Sequence, residues 1–166
     1  MGWHLYTIGI EGFSIKDNSP PPATPRPLTD EEWVQRDLNI SQLRQHYGST
    51  NEGFVKFLYD NILNRVWDRE GLSYWLKQLE SGNFSASRTA AHFIFSSENQ
   101  NLIENMGNEE FINYLYDLIL ARTPDREGYE QWLLHMDQGM SKREILDAFL
   151  DSREWIDICN RFGVNP

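Results

Sequence analysis

Apolar residues return along this chain at the spacing of one helix face. Phe54, Leu58 and Ile62 stand at i, i+4 and i+8, and Phe111, Leu115 and Ile119 repeat the series 57 residues later. The spacing predicts a first helix after Asn51 or Asn108, closed by Arg65 or Arg122. A second helix is expected after Asp68 or Asp125, with the acid as N-cap, ending at Gly82 or Gly139. A third starts at Ser85 or Ser141, and in the later copy Ser141 with Glu144 forms a capping box. A fourth begins near Ser96 or Ser152 and stops at Gly107 or Gly163. The caps lie too close together for crossover strands, so the body reads as all α.

The pattern is a duplication rather than a coincidence of periodicity. Residues 54–79 and 111–136 are identical at 13 of 26 aligned positions. After a one-residue deletion, Phe93 aligns with Phe149, Ser96 with Ser152, Glu98 with Glu154 and Gly107 with Gly163. Two tandem four-helix repeats are therefore expected, over 51–107 and 108–163.

The N-terminal part is different. Tyr6, Ile8 and Ile10 alternate, as do Phe13 and Ile15, which suggests a short hairpin or extended strap over 4–16. The prolines between Pro20 and Pro27 exclude helix interior, so 1–28 reads as strap and linker. Thr29 and Glu32 form a capping box opening a helix over 29–48 that stops at Gly48. Its ending at His46-Tyr47-Gly48 matches the fourth-helix endings, as a remnant of a preceding repeat that caps the stack would.

Composition narrows the function more than the fold. Fifteen Lys+Arg stand against 25 Asp+Glu, a net charge of −10, with no basic cluster. Such a surface repels phosphate backbones and anionic membranes, so no nucleic-acid partner is expected. No apolar run reaches spanning length, no charged-then-apolar leader is present, and Tyr6 stands where myristoylation needs Ser or Thr. The single cysteine, Cys159, excludes an internal disulfide and reads as a buried, inert thiol among Trp155, Ile156 and Ile158. The sequons at Asn39 and Asn83 matter only in a eukaryotic secretory setting.

Several residue types invite a chemical reading. The repeated Asp-Arg-Glu-Gly (Asp68–Gly71, Asp125–Gly128) offers carboxylates, but a calcium loop needs acids at alternate positions before its glycine. No metal and no cofactor are expected. Asp at the N-cap with Glu in the first turn accounts for the acids, and a glycine inside the helix signals close approach of another helix. Arg65 and Arg122 are read as bonding to the last helix carbonyls or pairing with Glu98 and Glu154. Asp60 and Asp117 are either solvated or acceptors for a buried Trp or Tyr. Trp75 and Trp132 are core. Trp67 faces Pro124 in the other copy, so it is a loop residue that either folds back over the repeat interface or meets a ligand. Trp67, Asp68 and Tyr74 are the candidate ligand-contacting residues.

The motif as a whole then points to a family. The run Phe54-Val55, Leu58-Tyr59, Ile62-Leu63, Arg65, Asp68, Gly71 and Tyr74-Trp75 carries it. Gly82, Ser85, Phe93, Ser96 and Glu98 follow, with the later Phe162-Gly163. Over about 51–163 this resembles a bacterial domain of unknown function that is itself similar to the phycobilisome linker repeat. The resemblance implies an all-helical, non-catalytic module, found in surface-layer, RTX-type secreted and adhesin proteins and beside glycosyltransferase or methyltransferase domains. It supplies no catalytic residues. The chain departs from the family's Gly-Arg-x-Pro-Asp loop, with Asn64 and Ala121 for the Gly and Trp67 for the first Pro, and the phycobilisome role itself is not implied.

The expectation is thus an interaction or scaffolding module rather than an enzyme, binding another protein or a neighbouring domain. It would act at the cell surface or secreted, as part of a larger bacterial protein. A carbohydrate-binding module recognising a cell-surface glycan is the alternative.

Overall fold

The computed structural model describes residues 28–166, and everything it describes is helix, turn or loop with no strand. The proposed strap and most of the proline-rich linker lie outside the described residues. Nine α-helices are present among the described residues: α1 (Asp30–Tyr47), α2 (Asn51–Asn61), α3 (Arg69–Glu80), α4 (Ala86–Ile94), α5 (Gln100–Asn105), α6 (Asn108–Leu120), α7 (Arg126–Asp137), α8 (Lys142–Leu150) and α9 (Arg153–Phe162). The fold is all α, with four helices in each tandem copy. None of these helices is long and apolar enough to cross a membrane.

Local chemistry sets most boundaries. Asp68 and Asp125 cap α3 and α7 by accepting from the backbone N–H of Gly71 (2.7 Å) and Gly128 (3.0 Å). Ser85 caps α4, and Ser141 with Glu144 closes the capping box of α8. Thr29 and Glu32 exchange the same pair of bonds at the start of α1. Gly82 and Gly139 sit at φ +79° and +104°, the left-handed region that glycine enters without a Cβ penalty.

Three expectations need correction. The cap of α2 is Thr50, one residue before Asn51, with its Oγ1 accepting from Gly53. The equivalent α6 starts from Gly107 with no side-chain cap and relies on Glu109 and Glu110 against the positive end of its dipole. Nor does the first helix of either copy reach its arginine. Backbones turn left-handed at Asn64 (φ +53°) and Ala121 (φ +55°), the two positions where the resembled loop carries glycine. These substitutions keep a glycine-type turn, which strains alanine more than asparagine.

By compactness the chain forms two units, each drawn from two segments. One holds 38–106 together with 153–166; the other holds 107–152 together with 28–37. In the first, α9 completes the core. Trp155 packs near Phe54 (ring centroids 6.3 Å) and its indole N–H donates to Ser87 Oγ at 2.7 Å. Ala86 N–H donates to the Asn165 carbonyl at 2.8 Å. Cys159 is buried in this unit, and burial pushes its thiol up to about 12. The other unit is built on Phe111, Ile112, Leu115, Trp132, Ile145 and Phe149, all fully withdrawn from water.

Both units carry the same aromatic triad. Tyr59 meets Phe93 edge-on at 5.1 Å, and Trp75 lies against Phe93 at 5.3 Å. Tyr116 meets Phe149 at 5.2 Å, and Trp132 lies against Phe149 at 4.9 Å. Trp75 and Trp132 are both buried, at equivalent places.

Candidate functional site

The repeated Arg-x-x-Asp-Arg-Glu-Gly segment is the natural place to look first, and in both copies it builds a structural latch. Arg65 stacks 4.9 Å above the Tyr59 ring, donates to the Val66 carbonyl at 3.2 Å and reaches the cap Asp68 at 3.4 Å. Arg122 stacks 4.9 Å above Tyr116, donates to the Thr123 carbonyl at 3.1 Å and reaches Asp125 at 3.4 Å. Each arginine thus ties the end of one helix to the cap of the next. Arg65 also pairs with Glu98 through two bonds of 2.5 and 3.1 Å, one of the two readings of this arginine. That bond draws the Glu98 carboxyl below its usual range and raises Arg65. The Gly71 N–H, followed by Arg65, does the same for Asp68.

Gly71 is approached closely by a neighbouring helix, as expected. A Cβ there would lie 2.1 Å from the hydroxyl oxygen of Tyr59 on α2, so the approach is made by a phenol side chain. Burial is the main cause that raises the Tyr59 hydroxyl, with the Asp68 carboxylate adding to it.

The copies diverge in exposure. The Arg65 and Asp68 side chains are 40% and 54% exposed, whereas those of Arg122 and Asp125 are 4% and 0%. The open latch of the first copy borders a cleft of about 340 Å³, with Trp67 on its wall beside Tyr47, Lys56, Asp60, Arg65 and Val66. Trp67 is 37% exposed and Val66 81%. Lys56 Nζ lies 4.9 Å from the centre of the Trp67 ring and bonds Glu52 at 2.8 Å. Nearby, the Tyr47 hydroxyl donates to Asp60 Oδ2, and Asn61 Nδ2 donates to the same hydroxyl at 3.1 Å. Burial and the Asp60 carboxylate together raise the Tyr47 hydroxyl. A smaller hollow of about 150 Å³ lies between Trp75, His92 and Glu98.

Of the three residues singled out from sequence, only Trp67 lines the larger cleft. Asp68 lies next to it but spends its carboxylate on Gly71 and Arg65. Tyr74 is exposed and meets Trp75 edge-on at 5.1 Å, away from the cleft lining. Tyr47, Lys56 and Asp60 enter the site without having been picked out as ligand contacts. Asp60 is an acceptor for a tyrosine, one of its two readings, and the periodic faces of α1 and α2 give no hint that Tyr47 is that tyrosine. Among the described residues no group of three or more His, Cys, Asp or Glu side chains is placed to hold a metal.

No curated protein and no solved structure gives a significant match to this chain. One family model does match, over 38–103 and again over 90–159, so the two matches share 90–103 and cover most of the sequence. They begin within α1 and α4, and each takes in a copy of the Tyr–Arg–Asp latch. The chain belongs to the family described as domain of unknown function DUF4214, which it carries in two tandem copies.

Proposed function

We propose that this chain is a non-catalytic interaction module of a bacterial surface or secreted protein. It docks another protein or a neighbouring domain through the Val66-Trp67 loop. The observation that carries the reading is the contrast between the copies. Residues common to both are engaged in caps, latches and aromatic triads, while the exposed Val66-Trp67 pair replaces Thr123-Pro124 in one copy only. An exposed tryptophan on a loop held by packed helices is the usual anchor of a protein interface. The repeated acids act as helix caps rather than as an acid–base pair, which favours binding over catalysis. Placement at the surface or in a secreted parent, and a part in adhesion, follow from the sequence resemblance.

A carbohydrate-binding reading is favoured by one specific feature, the Tyr47–Asp60–Asn61 hydrogen-bond network beside an aromatic ring in one cleft. The two readings separate in a single comparison. Wild type and Trp67→Ala are screened side by side against displayed bacterial envelope proteins and against a glycan array. A protein ligand lost on Trp67→Ala, with an unchanged melting temperature, supports the interaction module. A glycan lost in the same way supports the alternative. Protein binding that survives Trp67→Ala overturns the loop as the docking surface.

A further inference from the structure

We propose that the Trp67 cleft receives a basic side chain, arginine or lysine, presented by the partner protein. This rests on the interaction-module reading and names the chemistry of that same site.

The first support is the ring itself. Lys56 Nζ lies 4.9 Å from its centre, a distance at which this indole already attracts an ammonium group. The second is the charge balance of the lining. Both cations there are neutralised by their own acids, Lys56 by Glu52 and Arg65 by Glu98 and Asp68. Asp60 takes a hydroxyl bond from Tyr47 and pairs with no cation among the described residues. Asp60 is therefore the acid of the lining that is still open to a cation. A guanidinium or ammonium bonded to Asp60 would complete it, with the methylene stem lying on Trp67 and Val66.

The third support is the second copy. Asp117 keeps the acid of Asp60, but Asn113, Thr123 and Pro124 stand in place of Lys56, Val66 and Trp67. Acid without an aromatic wall gives that copy no equivalent receptor, so the two aspartates form a matched experimental pair. The net charge of −10 adds long-range attraction for basic partners without choosing between them.

The test titrates the full chain with a short arginine peptide and with a citrulline peptide of equal length at physiological salt, by calorimetry and amide-proton NMR. The Trp67 indole N–H signal, identified by its loss in Trp67→Phe, is expected to shift with the arginine peptide and not with citrulline. Trp67→Ala and Asp60→Asn should each weaken binding by roughly three- to thirtyfold, the span of a cation–aromatic contact. Asp117→Asn, which removes the same charge, should leave it unchanged. If Trp67→Ala fails to fold, the exposed Asp60→Asn carries the comparison alone. An unmoved Trp67 signal, or equal losses from Asp60→Asn and Asp117→Asn, would overturn the assignment and leave only diffuse attraction. A partner captured through the Trp67 loop but offering it no basic residue would sink this inference while the interaction-module reading stood.

Discussion

The guanidinium of Arg122 lies 4.9 Å above the ring of Tyr116, and the arginine side chain is almost wholly withdrawn from water. Arg65 holds the same position over Tyr59 in the open. One latch, at two depths, should have two energies. Arg122→Ala leaves the Asp125 carboxylate buried without its cation and is expected to cost about 3–5 kcal/mol. Arg65→Ala, exposed to solvent and screened, should cost about 1 kcal/mol or less. Urea denaturation of the two variants checks the ratio, and equal losses would show that burial does not set the strength of the latch.

Gly71 and Tyr59 make the next test. A methyl group at 71 would stand 2.1 Å from the Tyr59 hydroxyl oxygen, so Gly71→Ala should destabilise by about 1–3 kcal/mol through overpacking. Adding Tyr59→Phe removes the obstructing oxygen and should recover most of that loss. A double variant no more stable than Gly71→Ala alone would mean that the glycine serves the backbone instead.

Those two pairs also mark what could be read from the linear chain. Caps at Asp68, Asp125, Ser85 and Ser141 were legible because each bond spans three residues and depends only on local backbone. The duplication made the all-helical fold legible for the same reason, twice over. Pairing of Arg65 with Glu98 was one of its two readings because both recur, but its stacking on Tyr59 follows the left-handed turn at Asn64, which nothing but an absent glycine announced. Trp67 could be placed in a loop, whereas its neighbours could not. Lys56 and Tyr47 line its cleft from two helices whose relative rotation is set by packing. Gly53 is part of that packing, since a Cβ there would lie 2.1 Å from the Tyr47 carbonyl oxygen.

Acid sensitivity should trace in part to His135, buried on α7, whose imidazole is held below its ordinary value by desolvation. Well above its ordinary value of about 6.5 it is neutral folded and unfolded, and it adds no pH dependence. As pH falls further the unfolded chain takes up the proton first, so stability declines from there down to the depressed folded value. Denaturation midpoints measured between about pH 5 and 8 should fall on the acid side, and His135→Gln should flatten that limb. An identical slope in the variant would assign the loss to other groups.

Trp155 tests the composition of the first unit. Trp155→Ala should cost about 3–5 kcal/mol, as for other buried tryptophans. Hydrogen exchange should quicken in α2 and α4, which hold its neighbours Phe54 and Ser87. Faster exchange confined to α8, the helix next to it in sequence, would contradict the grouping of 153–166 with 38–106.

That grouping has a consequence for how the molecule comes into being. A duplicated sequence suggests two beads that mature in order as the chain is made. Here the earlier bead lacks a wall until translation has passed through the whole of the later one. At roughly 5–20 residues per second the ribosome takes several seconds to cover that distance. Throughout that interval the pocket destined for Trp155 stands open on a nascent chain. Maturation therefore runs backward for this half, with its final helix arriving last, and a stall between the copies leaves it exposed to the cell's chaperones and proteases.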